Sequence, residues 1–325
     1  MTENMANKLV IGITIGDAAG IGPEITLKAL KDIGSECHCV VIGDAAHLHS
    51  LARKLRIKID PSTTDIFDLK NLPEHFEMGV DDAVTGKASA ENIEAAVQLW
   101  RDGKIDGICT APISKKAIHL GGYDFPGHTE FLAHLTNTQH FRMSFFAEKL
   151  RVVLLSTHLS LLDAIALIKK DSLVELIEFS SAQLSKLLGR DVSIAVAGLN
   201  PHASEGGMFG SEEHDEIIPA IEHCRSLGIN VSGPYAPDTI FLRGYKGDFD
   251  GVIALYHDQA TIAVKSLSFG SGVNVTLGLP LIRTSVDHGT AYDIAGKGIA
   301  EASSLVGAIR LAAELASGSR RSAKI

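Results

Sequence analysis

Gly251-Val252-Ile253-Ala254-Leu255-Tyr256-His257-Asp258-Gln259 opens with an apolar run and stops at a polar triplet. A short run without polar alternation reads as a strand covered on both faces. Such strands belong to parallel sheets flanked by helices, where chemistry gathers just outside the strands' carboxyl ends. The pattern recurs twice. Leu150-Arg151-Val152-Val153-Leu154-Leu155-Ser156-Thr157 leads to His158, and Val192-Ser193-Ile194-Ala195-Val196-Ala197-Gly198-Leu199-Asn200-Pro201 leads to His202. Three imidazoles meeting at one point would be the ligand set of a catalytic metal that keeps a position open for substrate. Three unrelated loop histidines, each bonded to backbone, are the alternative that spacing alone leaves open.

The alternation extends in both directions. Lys8 to Ile15 reads as a first strand, Gly16-Asp17-Ala18-Ala19-Gly20-Ile21-Gly22 as the turn after it, and Pro23 as the opening of a helix to Ile33 with Glu24 in its first turn. A strand at 38–42 and a helix at 44–55 follow. Residues 60–88 lack periodicity and read as irregular or edge structure. Ala90 to Trp100 is an amphipathic helix, and Ile105 to Cys109 a short strand. Glycine, proline and aspartate crowd Gly121 to Gly127 and mark a crossing. Strands at 141–147, 150–156 and 192–197 and helices at 160–188 and 212–227 form a middle segment. Strands at 251–255, 273–277 and 281–284 and a helix from Ser303 to Ala316 form a return, ending in a polar, frayed tail from Ser317. Strands alternating with helices predict an α/β fold with a mostly parallel sheet. A chain of 325 residues exceeds one ordinary core. Two domains are expected: 1–120 with 258–325, carrying both termini, and 121–257, with a cleft between them.

Composition narrows the function. Lys and Arg number 30 against 39 Asp and Glu, a net charge of −9, which argues against a general nucleic-acid binder while leaving room for a local anion site. No apolar stretch spans a bilayer, and Met1-Thr2-Glu3-Asn4 lacks the basic and apolar character of a leader, so a soluble cytoplasmic protein is expected. Four cysteines (Cys37, Cys39, Cys109 and Cys224) make no disulfide framework and read as small core residues.

Further residues carry possible chemistry. Gly16 to Gly22 fits either a phosphate cradle at a helix N-terminus or a tight turn, and lacks both the dinucleotide fingerprint and the Lys-Ser/Thr of a nucleotide loop. Gly127-His128-Thr129-Glu130 places His128 and Thr129 at a helix start, where Thr129 either caps the helix or meets substrate oxygens. Lys265, Asn274 and Arg283 are polar residues in apolar company, suited to an anion or a proton. Asp238 and Asp258 are carboxylates placed to work beside a metal. In Asp287-His288-Gly289-Thr290-Ala291-Tyr292-Asp293-Ile294-Ala295-Gly296-Lys297-Gly298, Asp293 could hold ribose hydroxyls.

Taken in order, Gly-Asp-x-Ala-Gly-Ile-Gly-Pro-Glu (16–24), Gly-His-Thr-Glu (127–130), Ser-Thr-His (156–158), Leu-Asn-Pro-His (199–202), Tyr-His-Asp-Gln (256–259) and Val-Asp-His-Gly-Thr-Ala (286–291) resemble the 4-hydroxythreonine-4-phosphate dehydrogenase family of pyridoxal phosphate biosynthesis. The last string also resembles the cofactor loop of isocitrate and isopropylmalate dehydrogenases. The resemblance implies their fold, two α/β/α domains with a cleft and no Rossmann fingerprint, and a homodimer with its active site at the subunit interface. It implies a divalent metal, zinc or a substitute such as magnesium or cobalt, held by His158, His202 and His257 with ligands drawn from both subunits. His128, Thr129, Lys265, Asn274 and Arg283 match the substrate-binding positions, and Asp238 and Asp258 the carboxylates beside the metal. Lys265, Asp258 or Asp238 would relay the proton. NAD is implied as cofactor, with His288, Gly289, Ala291 and Asp293 in its loop. The activity implied is oxidation and decarboxylation of 4-hydroxythreonine 4-phosphate. A sister group acting on 4-phospho-threonate or 4-phospho-erythronate is the alternative, and terephthalate dihydrodiol dehydrogenases are related. Ala18 replaces a usual proline and Ala260-Thr261 a glycine-led stretch, both near the site. A metal-dependent phosphohydrolase and a silent sugar-phosphate binder are the readings from other classes.

Overall fold

The computed structural model describes residues 8–268 and 272–322; Met1 to Asn4 and the end of the polar tail lie outside the described residues. The chain is a mixed α/β protein dividing into two compact units. The first comprises residues 1–141 and 278–317, the second residues 142–277 and 318–325.

The strands of the first unit are β1 (Val10–Thr14), β2 (His38–Gly43), β3 (Thr64–Asp68), β4 (Gly107–Thr110) and β11 (Ile282–Ser285). They lie in the order β3-β2-β1-β4-β11, every pair parallel. From β1 the chain works outward through β2 and β3 on one side, and through β4 and β11 on the other. The order therefore reverses between β1 and β4, the kind of crevice where open α/β sheets take ligands. The helices are α1 (Gly22–Ile33), α2 (Ala45–Leu55), α3 (Ala83–Arg101), α4 (Lys115–Leu120), α5 (His128–Leu135) and α11 (Ser303–Ser322). Ile42, Ile93, Val97, Ile108, Phe131 and Leu132 form one core; Ile15, Leu27, Val41 and Leu48 form another.

The second unit holds β5 (Arg142–Ala147), β6 (Leu150–Leu154), β7 (Ile194–Ala197), β8 (Val231–Tyr235), β9 (Gly251–Ala254) and β10 (Val273–Leu277). Their order is β10-β5-β6-β9-β7-β8. The β5–β6 and β5–β10 pairs are antiparallel, and the rest parallel. Its helices are α6 (Leu161–Ala166), α7 (Lys170–Leu188), α8 (Ile218–Ser226), α9 (Pro237–Lys246) and α10 (His257–Leu267). Phe145, Val152, Leu154, Ala195, Ile240, Ala260 and Val264 share its core.

The structure places the unit boundaries at 141/142 and 277/278, against the expected 120/121 and 257/258. The reason is packing: α5 buries Phe131 and Leu132 against Ile93 and Val97 of α3 in the first unit, and α10 buries Ala260 and Val264 against β6 and β7 in the second. Two local expectations also change. The helix expected from Ala90 starts at Ala83, because the Asp82 side chain accepts the Val84 and Thr85 amides and caps it. Its first turns bury Thr85, Gly86, Ala88 and Ser89, too small to show as apolar periodicity. Asp238 lies in the first turn of α9, and α11 continues to Ser322 through the tail expected to fray. Among the described residues no helix is long and apolar enough to cross a membrane.

Gly86 tests the α3–α4 contact. A Cβ there would lie 1.8 Å from the Ala117 carbonyl oxygen. Gly86→Ala is expected to lower folding stability by about 3 kcal/mol in urea melts, since two backbones must separate. An unchanged midpoint would mean that α4 does not pack on α3 as described.

Candidate active site

In the second unit, His158 follows β6 by four residues, and His257 is the first residue of α10, with Tyr256 as its N-cap. Their rings stand 5.8 Å apart, centroid to centroid. His257 Nδ1 lies 2.7 Å from Asp258 Oδ1, which orients the ring and turns Nε2 outward, the arrangement a metal-binding imidazole uses. Gln259 braces this corner: Oε1 accepts the Leu255 amide at 2.7 Å and Nε2 donates to the Gly198 carbonyl at 2.8 Å. The brace joins the end of β9 to the segment after β7 that leads to His202.

His202 is five residues beyond β7, in a turn where His202, Ala203, Ser204 and Glu205 all have left-handed φ, from 47° to 66°. Each such non-glycine residue costs on the order of 1 kcal/mol or more, so the surroundings must impose the conformation. Buried Glu213 does so, accepting the Leu199 amide at 2.8 Å, the Asn200 amide at 2.7 Å and Asn200 Nδ2 at 2.8 Å. His202 Nδ1 pairs with Glu205 Oε2 at 3.0 Å. Among the described residues no three His, Cys, Asp or Glu side chains stand close enough to hold a metal ion. His158 and His257 stand side by side, and among the described residues they belong to no such group of three. Asp238 and Asp258 line one groove of about 510 Å³ with Tyr256, Phe241 and Ile262. Lys265 is exposed on α10, and Asn274 lies on β10 opposite Phe145.

In the first unit, Arg283 on β11 is 4% exposed, and its Nη2 donates to Thr110 Oγ1 at 2.9 Å. Burial pushes its pKa down to about 10, although Cys109 and Glu130 pull the other way. His128 opens α5; burial, and then the Arg283 charge, hold its pKa well below the ordinary range, so it is neutral at physiological pH. His128 Nε2 is buried with no protein hydrogen-bond partner. Gly127, with no side-chain bond, is the N-cap of α5, so Thr129 is a first-turn residue and not the cap. A buried guanidinium, a neutral imidazole and a helix N-terminus are donors that could hold a phosphate or carboxylate.

The Gly16–Gly22 turn is committed internally. The amides of Asp17, Ala19, Gly20 and Ile21 donate to Pro112 O, Asp17 Oδ1, Asp17 O and Thr290 O. Those donors are unavailable to a phosphate, and the turn is structural. The segment after β11 is fastened to it. Ala291 is left-handed at φ 43°, His288 and Asp293 are exposed, and His288 Nδ1 lies 3.1 Å from the Gly289 carbonyl. Glu24, buried, accepts the Gly298 and Ala300 amides at 3.0 and 2.8 Å and pairs with Lys28 at 2.8 Å. Sequence reasoning assigned Glu24 only to the helix dipole, because its partners lie more than 270 residues away. Separations of 275 and 211 residues likewise hid the bonds of Tyr292 to Asp17 and Asp81.

A family model of the pyridoxal phosphate biosynthetic protein PdxA matches residues 35–312. The chain belongs to the PdxA family. The matched span contains every residue named above as an expected metal, substrate or cofactor position. Among PdxA relatives, a D-threonate 4-phosphate dehydrogenase of Cupriavidus necator is 49% identical, covering 94% of this chain and 97% of its own. A 4-hydroxythreonine-4-phosphate dehydrogenase of Desulforapulum autotrophicum is 44% identical, covering 94% and 95%. The crystal structure of a 4-hydroxythreonine-4-phosphate dehydrogenase from Klebsiella pneumoniae superposes with a TM-score of 0.87 at 38% identity, over 95% of this chain and all of that one.

Proposed function

We propose that this PdxA-family protein is an NAD- and divalent-metal-dependent dehydrogenase that oxidises and decarboxylates a 4-phosphorylated 3-hydroxy acid. The observation that carries the reading is near-full-length similarity to dehydrogenases named for two such acids. The buried Arg283 beside neutral His128 supports the anionic half of the substrate. The His158–His257 pair, with Asp258 bracing His257, supports the metal. Imidazole donors suit zinc best, with cobalt or magnesium as substitutes. His202 completes the ligand set, with ligands drawn from two copies of the chain. Exposed apolar side chains follow each histidine and fit a homodimer: Leu159, Leu161 and Leu162 after His158, Met208 and Phe209 after His202, and Ile262 after His257.

Bound at these residues, a metal would supply Lewis acidity at the substrate's C3 hydroxyl and NAD would supply the hydride acceptor. Lys265, Asp258 or Asp238 takes the hydroxyl proton. Arg283, His128, Thr129, Lys265 and Asn274 hold the phosphate and the carboxylate. His288, Gly289, Ala291 and Asp293 would hold the dinucleotide. Oxidation leaves a β-keto acid; its C1–C2 bond breaks, carbon dioxide departs, and the electron pair stays as an enolate that is protonated at C2. From 4-hydroxythreonine 4-phosphate the product is 3-amino-2-oxopropyl phosphate. From 4-phospho-D-threonate or 4-phospho-D-erythronate it is dihydroxyacetone phosphate. 4-Hydroxythreonine 4-phosphate and 4-phospho-threonate differ in bearing an amine or a hydroxyl at C2, and the name of the relative at 49% identity favours the hydroxy acid.

The test supplies protein, zinc, NAD and one acid at a time, following reduced nicotinamide and free phosphate together. Nicotinamide reduction is expected with 4-phospho-D-threonate at a kcat/KM at least about tenfold above that with 4-hydroxythreonine 4-phosphate. The reverse order would reassign the substrate. Phosphate release without reduction would make the protein a phosphohydrolase, and thermal stabilisation with neither signal a silent binder.

A further inference from the structure

The Tyr292 hydroxyl donates to Asp17 Oδ2 at 2.7 Å and lies 3.2 Å from Asp81 Oδ1, while the Ser114 hydroxyl donates to the same Asp81 oxygen. These residues come from separate segments of the first unit. Asp17 is in the turn after β1, Ser114 in the segment after β4, Tyr292 in the segment after β11, and Asp81 immediately precedes the N-cap of α3. One phenol thus gathers loops from the carboxyl ends of three parallel strands, on both sides of the point where strand order reverses. Close backbone contacts reinforce it. A Cβ on Gly20 would lie 2.9 Å from the Thr290 carbonyl oxygen, and one on Gly79 2.8 Å from that of Tyr292. Asp17 is fully buried; burial raises its pKa from the ordinary carboxylate value, and the Tyr292 hydroxyl is the first group that pulls it back. The carboxylate and the phenol therefore stabilise one another, in a contact that no step of the proposed chemistry uses.

We infer that Tyr292 is a positioning residue for the dinucleotide: anchored on Asp17 and Asp81, it holds the 287–298 segment in its binding shape before NAD arrives. This rests on the assignment of that segment to NAD. A segment already ordered in the free protein gives up less conformational entropy on binding, so the latch acts on affinity for the dinucleotide and not on the chemical step. The remaining fasteners, Glu24 on Gly298 and Ala300 and Lys54 on the Gly296 carbonyl, hold the far end of the segment and stay in place when the phenol is removed.

The experiment is Tyr292→Phe, which keeps the ring and removes only the hydroxyl. Calorimetric titration with NAD is expected to show Kd raised about tenfold. The kcat at saturating NAD and the KM for the phosphorylated acid should stay within about twofold. Hydrogen exchange in residues 287–298 should speed up in the free variant and return to the wild-type rate with NAD bound. An unchanged Kd with unchanged exchange would overturn the latch. A kcat that falls together with NAD affinity and melting temperature would also overturn it, leaving the bond a general structural contact. If the wild-type protein takes up no NAD in the same titration, the assignment of the segment fails first, and the latch with it.

Discussion

His202→Ala is expected to abolish turnover and strip the metal while leaving the fold in place. His202 is 64% exposed in its side chain and bonds only to Glu205, itself half-exposed, so the substitution removes no core contact. Exposed substitutions of this kind move stability by about 0.5 kcal/mol or less. The backbone holding it is set by Glu213 through Leu199 and Asn200, and that bracing does not involve the imidazole. Loss of an outer partner of a metal ligand already costs about 10- to 100-fold in metal affinity, and loss of the ligand itself should cost more. Elemental analysis after dialysis should find the variant depleted, and activity should fall at least about a thousandfold. The melting temperature in excess chelator should match that of the wild type. Full metal content with full activity would remove His202 from the ligand set.

Arg283→Met is expected to separate stability from function. Burial depresses the Arg283 pKa to about 10, so the folded state carries a cation that it holds less readily than the unfolded chain does. The sign follows. Below about pH 10 the group is charged in both states and destabilises the fold, by roughly 3 kcal/mol. The penalty fades only as pH rises from about 10 toward the ordinary arginine range. Replacing a buried charge by an apolar side chain of similar length should therefore leave the ligand-free protein as stable as the wild type, or more so. Binding should suffer: hydrogen bonds to a charged group are worth about 1.5–3 kcal/mol each, and two of them lost raise KM for the phosphorylated acid by about 100-fold or more. Inorganic phosphate should stabilise the wild type in thermal melts and not the variant. An unaltered KM would sink the anion site. A variant less stable by several kcal/mol would make Arg283 a structural residue.

How far these features were legible depends on the distance over which each is determined. The three apolar runs ending near His158, His202 and His257 identified buried strands, because a strand covered on both faces needs no partner to declare itself. Helix α3 was misjudged at its start because its early contacts are made by Thr85, Gly86, Ala88 and Ser89, which carry almost no hydrophobic signal. The boundary at residue 141 was missed because α5 joins the first unit by burying Phe131 against Ile93, a contact with no trace in local composition. Thr129 looked like a helix cap by type, but Gly127 is the N-cap and the helix begins at His128, one residue before it.

By itself the sequence determined the α/β alternation and the family, since each depends on residue type, spacing or order along the chain. Tertiary structure alone decided that His158 and His257 meet, that Arg283 is buried with a lowered pKa beside a neutral His128, and that Tyr292 closes on Asp17. Burial and proximity set those properties, and both arise only when segments hundreds of residues apart fold onto one another.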